Sequence, residues 1–304
     1  MRKLLCAIAL ATPVVVFTQA PAHSVSPRAQ QLHDRAIVID SHGDTTQRLI
    51  FDEGFDIGKR NPNGNIDIPR MREGGLDALF FSIWVPSEVT GPTAVKRALD
   101  QIDAVREAVR THPHDLMLAT TAADVRKAAA DHKIAALMGM EGGHMIDDDL
   151  RLLHVYAALG VRYMTLTHYK NNNWADSSTD KAAHNGLTTF GKDVVREMNR
   201  LGVMVDISHV ADKTFFDAIE TTKAPMIASH SSSRVIANHA RNMTDDMMRA
   251  LARNGGVVMI NYHAAFLSEE FRVASEKKNG KRVGGDRCGV EEVRRQRGLR
   301  DHGG

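Results

Sequence analysis

The sequence predicts an α/β fold, a (β/α)8 barrel of the TIM type without its last βα unit. Three observations lead there. Short β-branched or apolar runs alternate from Ala36 onward with longer stretches of helical period, the mark of parallel βα units. The 304 residues, 25% of them charged, suffice for one large core, and a barrel of roughly 250 residues fits inside that length. Ligand-type side chains follow several of the strands, at the ends that a parallel barrel gathers on one face. Two small domains would also fit the length.

In chain order, Arg2 and Lys3 precede an apolar run from Leu4 to Phe17 and the small-residue stretch Ala20-Pro21-Ala22. This is the order of a secretory signal peptide cut after Ala22. An uncleaved anchor is the alternative, but the run is shorter than the about 20 residues that cross a hydrocarbon core. The expected strands are Ala36 to Ile39, Leu76 to Val85, Ile134 to Met140, Val161 to Leu166, Met204 to Ile207, Pro225 to Ala228 and Val257 to Ile260, seven in all. Between them lie amphipathic stretches such as Ala94 to Val109, Ala123 to Ala130, Gly191 to Leu201 and Thr244 to Arg253. Thr244 before Asp245 and Asp246 has the form of an N-cap with an acidic first turn, and Gly255 and Gly202 act as stops.

The net charge of +2 leaves no broad basic footprint for a phosphate backbone, which argues against nucleic acid as a partner. No later segment is long and apolar enough to span a membrane. Of the two cysteines, Cys6 falls in the signal peptide and Cys288 near the C-terminus, so an intrachain disulfide framework is excluded. An exported chain of this kind, expected in the periplasm or outside the cell, is held by its core, by metal or by subunit contacts. A homodimer stays open.

Chemistry collects at the strand ends. His42 and Asp44 straddle Gly43, where alternate side chains point the same way and can grip one ion. Alone, such a triplet is weak. Glu141, His209 and His230 supply the context, each at the end of its own apolar strand and beside a small residue. Neutral imidazoles and carboxylates suit divalent zinc. Five such ligands suit two ions about 3.5 to 4 Å apart, with the central Glu141 as bridge. Each histidine taken singly also fits a buried, hydrogen-bonded strand-end residue. Core packing does not require four strands to present such groups at one end.

The runs Ile39-Asp40-Ser41-His42-Gly43-Asp44, Met140-Glu141-Gly142-Gly143, Leu166-Thr167-His168, Asn185-Gly186-Leu187-Thr188 with Phe190-Gly191, Asp206-Ile207-Ser208-His209-Val210 and Ala228-Ser229-His230-Ser231-Ser232 carry a specific likeness. Over roughly residues 36 to 265 the sequence resembles the membrane (renal) dipeptidase family. The resemblance implies a (β/α)8 barrel with two Zn2+ ions. It places His42 and Asp44 on one ion and His209 and His230 on the other, with Glu141 bridging both. It implies hydrolysis of dipeptides by a metal-bridged hydroxide, with Glu141 and His168 catalytic and His168 and Arg241 binding substrate. Arg241 would receive the terminal carboxylate, which its planar donors match in bidentate fashion. The loop Asn171-Asn172-Asn173-Trp174 could cover the site, although such loops are more often turns.

After about Phe271 the pattern breaks. The chain becomes rich in arginine and glycine, and no eighth strand follows with the family's aspartate for the substrate's amino group; Asp286 and Asp301 lack an apolar strand before them. This ending reads as a truncated or frameshifted product, or as a basic tail for an anionic surface. The organisation is then a signal peptide over 1–22, an incomplete metallohydrolase barrel over 23–272 and a basic tail over 273–304. The leading expectation is a zinc dipeptidase. An amidohydrolase acting on small N-acyl amino acids and an inactive zinc-binding remnant are the alternatives.

Overall fold

A computed structural model describes residues 25–280. The expected signal peptide, Cys6, Cys288, Asp286, Asp301 and most of the basic tail lie outside the described residues. The chain divides at Ala36 into two units. In the first, helix α1 (Pro27–Arg35) starts where Ser26 accepts a hydrogen bond from the Ala29 amide and Pro27 takes a first-turn position, and it buries no residue.

The second unit alternates strand and helix. Its opening elements are β1 (Ile39–Gly43), α2 (Thr45–Phe51), α3 (Ile68–Glu73), β2 (Ala78–Trp84), α4 (Gly91–Thr111), β3 (Leu116–Leu118), α5 (Ala122–Ala130) and β4 (Ile134–Glu141). Then come α6 (Leu150–Leu159), β5 (Val161–Thr165), α7 (Thr189–Leu201), β6 (Met204–Asp206), α8 (Asp212–Thr221), β7 (Ile227–Ser231), α9 (Asp245–Arg253), β8 (Val257–Ile260), α10 (Ala264–Leu267) and α11 (Glu269–Gly280). Local signals set the boundaries. Thr121 and Asp124 form a reciprocal capping box on α5, and Thr244 accepts from the Met247 amide at the start of α9. Gly202 ends α7 in the left-handed region at φ 69°.

All strand pairs are parallel, in the order β1-β2-β4-β5-β6-β7-β8. The described residues therefore hold eight strands rather than the expected seven. The additional one, β3, is three residues long and follows His112-Pro113-His114-Asp115, too short for any periodicity to show. It pairs with the start of β4 (Leu116↔Ile134), while β5 pairs with its end (Glu141↔Thr165). Strands β1 and β7 also start later and run further than expected, so His42 and His230 lie within strands instead of after them. At β1 the cause is Asp77, whose carboxylate accepts the Val38 amide at 2.7 Å and whose own amide donates to the Val38 carbonyl, so ladder pairing begins at Ile39↔Ala78.

Period-two alternation splits the strands into two faces. Outward residues such as Leu79, Phe81, Ile83, Ala136, Met138 and Met140 belong to the main core with the apolar faces of the helices, for example Ala98, Ile102 and Val105 of α4. Removing a side chain such as Phe81 or Ile83 from water stabilises the fold by roughly 1.5–3 kcal/mol. Inward residues Ala78, Phe80, Ala135, Leu137 and Tyr163 form a second cluster. Above it on the same faces stand Ser82 and Glu141.

The barrel is nearly closed. The Ser41 hydroxyl of β1 donates to the Ser229 carbonyl of β7 at 2.6 Å. Among the described residues no strand pairs with the free edge of β1, and after β8 only helices follow. Helix α11 runs across residue 272, where the sequence suggested a domain end.

Candidate active site

Glu141 is the centre of the site. It ends β4 on the inward face, is 5% exposed, and faces all four histidines. Its Oε1 lies 2.8 Å from His209 Nε2, 3.2 Å from His230 Nε2 and 3.6 Å from His168 Nε2. Its Oε2 lies 3.3 Å from His42 Nε2 and accepts from the Ser82 hydroxyl at 3.2 Å. In the ladder Glu141 pairs with Trp84 on one side and Thr165 on the other, which sets it centrally among the strands.

Each histidine is held differently. The Tyr163 hydroxyl donates its one proton to the Ser41 carbonyl (3.1 Å), so its oxygen accepts from His42 Nδ1 (2.9 Å) and turns Nε2 toward Glu141. The Tyr163 ring fits because residue 139 is glycine; a Cβ there would come within 1.9 Å of Tyr163 Cζ. His209 has φ 69°, a left-handed conformation costly for a side-chain-bearing residue and of the kind that clusters at functional sites. Its Nδ1, like that of His168, is buried without a partner.

Burial and charge pull the groups apart. Burial opposes ionisation of Glu141, but the adjacent His42 and His168 and the close approach of His209 and His230 hold its pKa well below the usual range. Burial lowers His230 to about 4, with His42 adding to the effect, and lowers His209 and His168 as well. His42 alone moves up, because Tyr163, Glu141 and Asp44 outweigh its burial. Three largely neutral imidazoles around one carboxylate form a donor set for a cation. His209 Nε2 and His230 Nε2 are only 3.0 Å apart, a contact between basic nitrogens that a shared proton or a metal ion must relieve. Ligand atoms of His42, Glu141 and His230, and of Glu141, His168 and His209, lie within 4.8 Å of one another in each group.

Asp44 is in neither group. It occupies the N-cap position of α2 without a capping hydrogen bond, and its Oδ1 lies 3.5 Å from His42 Nε2 with the side chain 65% exposed. It faces a cavity of about 1130 Å³, whose wall also carries Trp84, Phe51, Phe55 and Glu53. Arg241, by contrast, is 5% exposed; its Nη2 donates to the His230 carbonyl at 3.3 Å and its Nε is buried without a partner. Burial lowers its pKa to about 10. Asn242 fixes this loop by donating to the carbonyls of Ser233, Ala237 and Phe266. The Asn171–Trp174 loop is a turn: Asn172 accepts the amides of Trp174 and Ala175 and donates to the Leu166 carbonyl, and Trp174 is buried.

Sequence reasoning missed Ser82, Tyr163 and the residues behind His230. Counting by twos from Glu141 along β4, and across the ladder to β2 and β5, would have put Ser82 and Tyr163 on the inward face.

Among known proteins, residues 26–293 match the family described as membrane dipeptidase, peptidase family M19. Dipeptidase 3 of Mus musculus is 38% identical over 232 residues, covering 73% of this chain and 46% of that protein, so the chain spans about half the length of this curated relative. A metallo peptidase from Rhodobacter sphaeroides, solved with a phosphinate mimic of the dipeptide L-Ala-D-Ala, is 28% identical with a TM-score of 0.73 over 77% of this chain and 76% of its own. The structure of dipeptidase AC, a metallo peptidase of family M19, is 30% identical with a TM-score of 0.72 over 77% of this chain and 74% of its own.

Proposed function

Because this chain belongs to the membrane dipeptidase family, peptidase family M19, we propose that it hydrolyses dipeptides at a two-zinc site built from His42, Asp44, Glu141, His209 and His230. The observation that carries this reading is the placement of Glu141 within 3.6 Å of four histidines contributed by separate strands and their ends. The donor set fits zinc: imidazole nitrogens and carboxylate oxygens, screened from water except at the exposed Asp44, with no lysine among them. Bound there, zinc would supply a water activated near neutral pH and a Lewis acid for the scissile carbonyl.

The chain's own residues do the rest. Glu141, held ionised, bridges the two halves of the site. His168, beside it and shielded from solvent, is suited to hydrogen-bond the oxygen on which charge develops. Arg241 offers a buried, partly unpaired guanidinium to a carboxylate, which orients the substrate before attack. The phosphinate bound to the Rhodobacter sphaeroides relative supports a dipeptide as the substrate class. Asp44, exposed on the cavity wall beside His42, would hold one ion together with that histidine.

Export to the periplasm or the outside of the cell is part of the proposal, supported by the order of residues 2–22. No helix among the described residues is long and apolar enough to cross a membrane. The test is zinc content measured beside hydrolysis of L,L and L,D dipeptides and of N-acyl amino acids. Dipeptide turnover that follows zinc content supports the reading; cleavage of N-acyl amino acids alone would shift it to another amidohydrolase.

A further inference from the structure

His230 presents Nε2 to the site, and a chain of buried hydrogen bonds stands behind its other nitrogen. His230 Nδ1 lies 2.7 Å from the Ser229 hydroxyl oxygen. That hydroxyl lies 2.7 Å from Asp206 Oδ2. Asp206 is fully buried at the end of β6 and accepts three more hydrogen bonds. Thr165 Oγ1 donates to Oδ2 at 2.5 Å, and the amides of Ser208 and Ser229 donate to Oδ1 at 3.1 and 2.9 Å. Ser208 also joins the group, its Oγ accepting the His230 amide at 3.0 Å and lying 3.4 Å from Ser229 Oγ.

Proton counting gives this chain a direction. Ser229 has a single hydroxyl proton and donates it to Asp206 Oδ2. The Ser229 oxygen can then only accept from His230, which calls for the proton on Nδ1, in competition with Glu141 Oε1 at 3.2 Å from Nε2. We propose that Asp206, acting through Ser229, is the positioning residue that fixes His230 in its Nδ1-protonated, ligand-competent form. The proposal rests on the metal-site reading above for its purpose, not for its geometry. His209 has no such support, since its Nδ1 is buried without a partner.

Asp206→Asn reverses the relay. The amide oxygen can keep the two backbone donors, while the NH2 group replaces Oδ2 and donates to Ser229. The serine proton is freed toward His230 Nδ1, and the ring proton moves to Nε2, where a metal would bind. Ser229→Ala removes the link and leaves the other three hydrogen bonds of Asp206 in place, so it reports even if the asparagine variant folds poorly.

The experiment is 15N NMR of histidine-labelled, metal-free full-length protein at pH 8, with the His230 signal identified by its loss in His230→Gln. Nδ1 of pyrrole type in the wild type and of pyridine type in Asp206→Asn, with Ser229→Ala losing the wild-type preference, is the expected result. Zinc affinity by chelator competition should fall about 10–100-fold in both variants. A wild-type His230 protonated on Nε2, or a tautomer and zinc affinity unchanged in both variants, would overturn the proposal. Failure of the wild type to bind zinc would instead overturn the metal-site reading, while the tautomer measurement decides the role of Asp206 by itself.

Discussion

The rings of His42 and His230 stack with centroids 3.8 Å apart and planes 28° from parallel, although β1 and β7 are not neighbours in the sheet. The curvature of the barrel brings them together, and the Ser41–Ser229 hydrogen bond locks the approach. One histidine is anchored by Tyr163 and the other by Ser229, so both point Nε2 at Glu141.

Removing the centre should therefore remove the metal. His42→Ala, Glu141→Ala, His209→Ala and His230→Ala are each expected to lose zinc and dipeptide hydrolysis together, as read by metal analysis of the purified variants. A variant that turns over substrate without zinc would contradict the assignment.

Arg241 should behave differently. Arg241→Ala is expected to raise KM sharply at unchanged zinc content, because the buried guanidinium is proposed to hold the substrate's carboxylate. Steady-state kinetics with metal analysis checks this, and an unchanged KM would refute the role.

Gly139 offers a test of how His42 is positioned. Gly139→Ala would drive a methyl group into the Tyr163 ring, and overpacking of this kind costs roughly 1–3 kcal/mol. Thermal unfolding should show that loss. Zinc affinity should fall as well, because a shift of the Tyr163 ring disturbs the 2.9 Å contact of its hydroxyl with His42 Nδ1. Tyr163→Phe, which keeps the ring and drops the hydroxyl, should weaken zinc binding with a smaller loss of stability.

Acid sensitivity has an identifiable contributor away from the site. Asp67 is fully buried at the start of α3, accepts the Arg70 and Asn61 amides at 2.9 and 3.0 Å, and pairs with the Arg70 guanidinium. Burial alone would raise its pKa, but these partners together lower it. A folded pKa below the unfolded value of about 3.9 means that its stabilisation is complete above that pH and is lost as pH falls through the folded value. Asp67→Asn should cost roughly 1.5–3 kcal/mol at pH 7. Denaturant titrations should show this difference shrinking toward pH 3.

Much of this was legible in the sequence, and the exceptions have physical causes. The barrel class followed from alternating runs, and the histidines and Glu141 stood out because each ends an apolar strand. The short β3 lacked the length to show a period. Tyr163, Ser82 and Asp206 looked like ordinary strand residues, because their importance comes from which neighbour the ladder sets beside them. Asp44 was readable by spacing alone, yet its exposed side chain stands apart from the tight groups around Glu141.

The most direct test is stripping the purified chain of metal with a chelator, returning zinc in steps, and following dipeptide hydrolysis against bound zinc. No turnover is expected in the stripped protein and full recovery at two zinc ions per chain, with Glu141→Ala recovering nothing. Turnover that survives complete removal of metal, or zinc that binds without ever restoring hydrolysis, would contradict the proposed zinc-dependent hydrolysis.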